Sequence, residues 1–159
     1  MSKLTHVVSI FIASLFFGYC GNAQNLSLKT QTSGPGDEET VKMATDDLGN
    51  IFHAGKYKDA TVIEGVTLAS LGSPMSPPPY KNAYMARHSN GSGVNWAIAI
   101  GGPSILFVDV LSPTTDAVGN VLFVVKAAIM ADTLHIGNIL SIPADGSGSN
   151  SVLVKLDSQ

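Results

Sequence analysis

The chain has 159 residues, a formal charge of −3, and 45% hydrophobic against 13% charged residues, a balance that argues against disorder and matches one domain of ordinary size. A weakly acidic chain without basic runs cannot release counterions from a phosphate backbone, which argues against a nucleic-acid partner. Cys20 is the only cysteine, so a chain that loses it on export has no thiol for disulfides, cysteine-ligated zinc or a cysteine nucleophile.

Residues 1–23 read as a signal peptide. Lys3 and His6 precede an apolar run from Val7 to Phe17, and small residues end at Gly21-Asn22-Ala23. The run falls short of the roughly 20 residues that cross a bilayer. Tyr19 is bulky where a lipoprotein signal carries a small residue before its acylated cysteine. Cleavage after Ala23 removes Cys20 and, with Lys3, takes the formal charge from −3 to −4. The expected location is secreted, extracellular or on the cell surface, with no membrane span after signal cleavage.

From Gln24 onward the chain is a series of short β-branched segments separated by turn residues, and no apolar period of 3.6 residues persists. The expectation is all-β, with strands at 25–31, 40–45, 51–57, 61–68, 82–88, 94–100, 104–111, 121–129, 133–140 and 150–156. TSGPGDEE at 32–39, with Asp37, Glu38 and Glu39, reads as a solvated loop. Asp46 to Asn50 and Asp116 to Asn120 read as tight hairpin connections, because Gly and Asn tolerate positive φ and an Asp side chain accepts from nearby amides. Ser89 to Gly93 is another hairpin turn. It leads into a strand in which Val94, Trp96, Ile98 and Ile100 share one face, with Trp96 expected in the core. Longer loops fall at Leu71 to Tyr80 and Pro143 to Asn150. In the first of these, Pro77-Pro78-Pro79-Tyr80 has the form of a WW-domain ligand, but an exported chain does not meet those cytosolic partners, so loop stiffening accounts for it. Asn25-Leu26-Ser27 and Asn90-Gly91-Ser92 are glycosylation sequons.

The chain also repeats itself seventy residues apart. TDDLGNIF at 45–52 returns as TDAVGNVL at 115–122, and Lys56 aligns with Lys126. A two-residue insertion then sets TVIEGVTL at 61–68 on TLHIGNIL at 133–140, and a contraction sets NAYMARH at 82–88 on NSVLVKL at 150–156. The organisation expected is a first unit at 24–94 and a second at 95–159, the second stopping short of a counterpart to the Trp96 strand. Asn25 to Gln31 aligns with that strand.

The pattern TDDLGNIFHAGKY, EGVTL and NAYMARHSNGSGVNWAIAIGG resembles the seven-bladed β-propeller repeat family of secreted and surface proteins. The likeness covers roughly 40–157. It implies propeller-like antiparallel sheets, here an incomplete propeller of about two units, and no shared activity or cofactor. Closed propellers need about four to eight blades, so further β-repeat units, or self-association to complete the sheet stack, are the expected partners. An extracellular protein or carbohydrate is the expected ligand.

No nucleophile elbow, zinc helix, P-loop or dinucleotide fingerprint occurs, and no cofactor is implied. His53, His88 and His135 each stand without a local carboxylate partner in the sequence. Asp46, Asp47, Asn50, Asp116 and Asn120 could offer oxygens to calcium; replacement of Asp47 by Ala117 in the second copy favours turn closure instead. The expectation is a binding or structural module that is not an enzyme. The alternative is a fragment of a secreted propeller enzyme, a hydrolase or lyase acting on carbohydrate, with Asp109, Asp116 and Asp132 as its only second-unit carboxylates before Asp145.

Overall fold

Short β-branched segments joined by tight turns satisfy their backbone groups most directly by pairing with their sequence neighbours, and antiparallel hairpins follow. The computed structural model describes residues 32–34, 38–71, 82–103, 105–129, 133–143 and 148–157, and every regular element among them is a strand. They are β1 (Thr32–Ser33), β2 (Glu38–Thr45), β3 (Ile51–Tyr57), β4 (Thr61–Ile63), β5 (Val66–Leu68), β6 (Asn82–His88), β7 (Val94–Gly101), β8 (Ile105–Thr115), β9 (Val121–Ile129), β10 (Thr133–Ile136), β11 (Leu140–Pro143) and β12 (Gly148–Leu156). All pairings are antiparallel. The protein is all-β, as its sequence leads one to expect. The leader, the 25–31 strand with Asn25, Asp132, and Pro77 to Tyr80 lie outside the described residues.

Two expected strands are hairpins instead. Residues 61–68 break at Glu64 and Gly65, with φ of 44° and 90°, so that Ile63 pairs with Val66. Residues 133–140 turn at Gly137, φ 54°, and Ile136 pairs with Leu140. The two turns differ in length, which shifts the equivalence of the copies: Ile63 is buried and matches buried Ile136, not half-exposed His135. A one-residue slip in a strand exchanges its faces, and burial decides the register. Glu38 and Glu39, expected in a loop, open β2 opposite Tyr57 and Lys56.

Three sheets result, ordered β1-β4-β5, β11-β10-β7-β6-β3-β2 and β12-β9-β8. The six-stranded sheet is covered on both sides. On one face Phe52, Ala54, Ala83, Met85 and Ile100 form a core with Val110, Phe123, Val125 and Val154 of the β12-β9-β8 sheet. On the other, Tyr57, Tyr84 and Ala86 pack with Ile63 and Leu68 of the small sheet. Burial from both sides is why β3 and β6 lack clean alternation of buried and exposed residues.

The repeat is realised strand for strand. β3 runs between β2 and β6 as β9 runs between β8 and β12, with Ile51 opposite His88 and Val121 opposite Leu156. In each copy a hairpin follows the central strand and leaves its own sheet: β4-β5 pairs with β1, and β10-β11 pairs with β7. The 94/95 unit boundary is therefore not a sheet boundary, since β7, β10 and β11 extend the first unit's sheet.

Candidate functional site

The repeated turns have one geometry. Asp46 Oδ1 accepts from the amides of Leu48 (3.0 Å) and Asn50 (2.9 Å), and its Oδ2 accepts from Asn50 Nδ2 at 2.7 Å. Asp116 Oδ1 accepts from Val118 (3.1 Å) and Asn120 (3.0 Å), and its Oδ2 from Asn120 Nδ2 at 2.8 Å. Each turn is closed further by a glycine amide donating to the Asp carbonyl at 3.0 Å, with φ of 79° at Gly49 and 83° at Gly119. A cation recurs as well: Lys155 Nζ lies 3.0 Å from Asp116 Oδ2, and its counterpart Arg87 acts on Asp46 through its charge. Burial works to raise the Asp46 pKa, but hydrogen bonds from Asn50 and Leu48 outweigh it and hold the carboxyl below its ordinary value. Hydrogen bonds from the Asn120 side chain and Lys155 lower Asp116 more strongly.

The oxygens that could have served calcium thus receive the turn's own N–H groups, and Asp47 is exposed beside them. Asp46→Asn is expected to be mild, because an amide oxygen still accepts these bonds, whereas Asp46→Ala strands buried donors and should cost about 1–3 kcal/mol. Chelator should leave the melting temperature unmoved. A calcium-binding turn would instead gain about 2.7 kcal/mol at one hundred times the dissociation constant, and chelation would reverse that gain.

The histidines require a correction. His53 and His88, distant in sequence, meet on the face covered by the small sheet, with Nε2 to Nε2 at 2.7 Å and both rings buried. Glu64 Oε2 stands 3.4 Å from His88 Nδ1, and Tyr84 Oη 3.4 Å from His53 Nδ1. Two ring nitrogens at this distance share one hydrogen. The carboxylate calls for a proton on His88 Nδ1, so in the neutral pair His53 Nε2–H donates to His88 Nε2, and Tyr84 O–H faces the unprotonated Nδ1 of His53. Burial, then the His88 charge, depresses His53 to about 4. Burial also lowers His88, against the opposing pull of Glu64. No local spacing announced this chain of groups. Its one sequence signal is that the repeat replaces it: His53 corresponds to Phe123 and His88 to Leu156. His135 stands apart, with Nδ1 3.1 Å from Ser141 Oγ.

A groove of about 410 Å³ opens where Trp96 and Ile98 of β7 face Ile139, Lys155, Leu156 and Asp157. Trp96, expected in the core, is half-buried: it packs on Phe52 with ring centroids 6.3 Å apart and also lines this groove. Of the carboxylates considered for glycoside chemistry, the two among the described residues, Asp109 and Asp116, are engaged elsewhere. Asp109 pairs with Lys56 at 3.2 Å, and Asp116 is held in its turn. Asn90 lies exposed on its turn, its amide donating to Asn50 Oδ1 at 3.2 Å. Comparison with protein-family models, with curated proteins and with solved structures returns no match for this chain.

Proposed function

We propose that the chain is a secreted or cell-surface β-propeller-like repeat module with a binding or structural role rather than a catalytic one. The observation that carries this reading is the recurrence of one strand plan in both units, each handing its hairpin to the sheet before it. Stacked repeats bury their faces against neighbours and leave loops and inter-sheet grooves for recognition. The leader-like residues 1–23 support export, and the propeller-like sequence pattern agrees with the stacked sheets.

The groove beside Trp96 supports an extracellular carbohydrate or protein ligand, because an aromatic wall with an adjacent Lys155 and Asp157 offers stacking and polar anchoring together. Trp96 is the only tryptophan, so its fluorescence reports on this groove alone. Titration with a panel of neutral and acidic oligosaccharides and extracellular-matrix peptides should give saturable quenching with at least one member. Binding of that member, followed calorimetrically, should be lost in Trp96→Ala. Saturable binding that survives Trp96→Ala, or no response across the panel, would remove the groove from the proposal.

A further inference from the structure

The same sheet face is buried in one unit and turned outward in the other. In the six-stranded sheet Phe52, Ala54 and Met85 are 0%, 1% and 0% exposed, because Val110, Phe123, Val125 and Val154 of the β12-β9-β8 sheet pack on that side. Along the repeat these three positions correspond to Leu122, Val124 and Leu153. Side chains alternate along a strand, so with Phe123, Val125 and Val154 in the core, Leu122, Val124 and Leu153 point away from it. The repeat has kept an aliphatic surface where no sheet among the described residues covers it.

Strand pairing gives this surface a defined centre and borders. Leu111, Val124 and Leu153 lie directly across from one another on β8, β9 and β12, and Leu153 is 70% exposed. On one side of this row run Asp109, Lys126 and Ser151, and on the other Thr114, Leu122 and Lys155. Charges in the borders are answered within the chain: Asp109 pairs with Lys56 at 3.2 Å and stands opposite Lys126, and Lys155 pairs with Asp116 at 3.0 Å. An apolar centre inside a polar rim is the anatomy of a protein interface. What can cover it follows from what the molecule offers elsewhere. The six-stranded sheet is covered on both sides, and the small sheet turns outward Ser33, Val62 and Thr67, a largely polar row. Among the described residues, the flat aliphatic face that matches this one is its own copy in a second chain.

We infer that two copies of the chain pack these outward faces together, about a two-fold axis running along the Leu111-Val124-Leu153 row. Each residue of the row then meets its own copy. The Asp109-Lys126-Ser151 row of one chain lies over the Thr114-Leu122-Lys155 row of the other, and no like charges are opposed. An axis along β9 would instead set Lys126 over its own copy, a juxtaposition that disfavours that arrangement. The contact is made by sheet faces and uses no strand edge. It is isologous, so it closes at two chains. Three strands about 4.8 Å apart, with nine residues at about 3.3 Å each along β9, make a platform on the order of 400 Å². That is at the small end of specific interfaces, so the dimer dissociates on dilution.

This inference rests on the stacked-repeat reading and does not depend on any ligand at the Trp96 groove. Sedimentation velocity of the chain over rising concentration should show the mass climbing from one chain to two and stopping there. Leu153→Lys places a charge at the centre of the contact but alters a side chain already exposed in the single chain. It should hold the mass at one chain while leaving the far-ultraviolet circular dichroism unchanged, whereas Leu153→Met should still dimerise. In the Cys20→Ser background, a short thiol-to-thiol cross-linker should join two chains of Leu153→Cys and leave Thr67→Cys, on the outward row of the small sheet, as single chains. The cross-linking decides the matter even if Leu153→Lys disturbs the fold. A single chain at every accessible concentration would overturn the inference and give the face to another occupant, a following repeat in a longer chain among them, without touching the stacking of repeats inside one chain. A dimer indifferent to Leu153→Lys, a mass that grows beyond two chains, or cross-linking through Thr67→Cys in place of Leu153→Cys would overturn it as well, since each assigns the contact to a different surface.

Discussion

Lowering the pH from about 7 to about 5 is expected to weaken the fold through His53 and His88, well above the range in which carboxylates titrate. Both groups have folded pKa values below the ordinary 6.5, His53 at about 4. Above 6.5 both are neutral whether the chain is folded or not, so their stabilising neutrality is fully present. Below 6.5 the unfolded chain binds protons that the folded chain refuses, and stability falls until the folded pKa is reached. Each histidine that stays neutral contributes a slope approaching about 1.4 kcal/mol per pH unit. The reason is geometric: a second proton between nitrogens 2.7 Å apart would set two N–H groups against each other inside a buried site.

The repeat supplies the control. His53→Phe with His88→Leu installs the residues that the second unit carries at these places, Phe123 and Leu156. Removing both partners of a buried polar pair for apolar groups can be close to neutral, so stability near pH 7.5 should change little while the acid slope between about 6.5 and 4 flattens. Urea midpoints across this range test it. A wild-type midpoint constant over the window, or an unchanged slope in the double variant, would show that the pair does not govern acid stability.

Gly55→Ala is expected to be the more damaging single change, costing about 3 kcal/mol. A Cβ built there meets the Glu39 carbonyl oxygen at 2.0 Å and the Tyr84 ring at 2.6 Å. Gly55 has no positive φ; what it supplies is room, where β2 passes its bulge between Thr40 and Lys42 and the Tyr84 ring lies over the strand. Backbone cannot yield as a flexible side chain does. Gly91→Ala gives the contrast: φ is 83° and nothing lies within 4 Å of the added carbon, so only backbone strain of about 1–2 kcal/mol remains. Thermal or urea unfolding of both variants decides between these costs. Equal losses would mean that the crowding at Gly55 relaxes freely.

Local chemistry was enough to read much of the fold from the sequence. Asp, Gly and Asn at 46–50 and 116–120 close a turn through bonds spanning at most four residues, and the turn is therefore visible wherever the pattern recurs. The strands at 51–57, 82–88 and 121–129 lie beside such turns and keep their expected bounds. The repeat likewise determined that the two copies share a plan. Only the tertiary structure decided which faces and strands meet. The split of 61–68 into a hairpin turns on positive φ at Glu64, a residue with no intrinsic preference for it. The register that buries Ile63 and Ile136 depends on the strands β1 and β7 beside them. The His53–His88–Glu64 chain joins three segments through sheet pairing and layer packing. No spacing in the sequence encodes distances created by long-range contact, and for this reason the most unusual chemistry of the molecule appears only once the sheets are stacked.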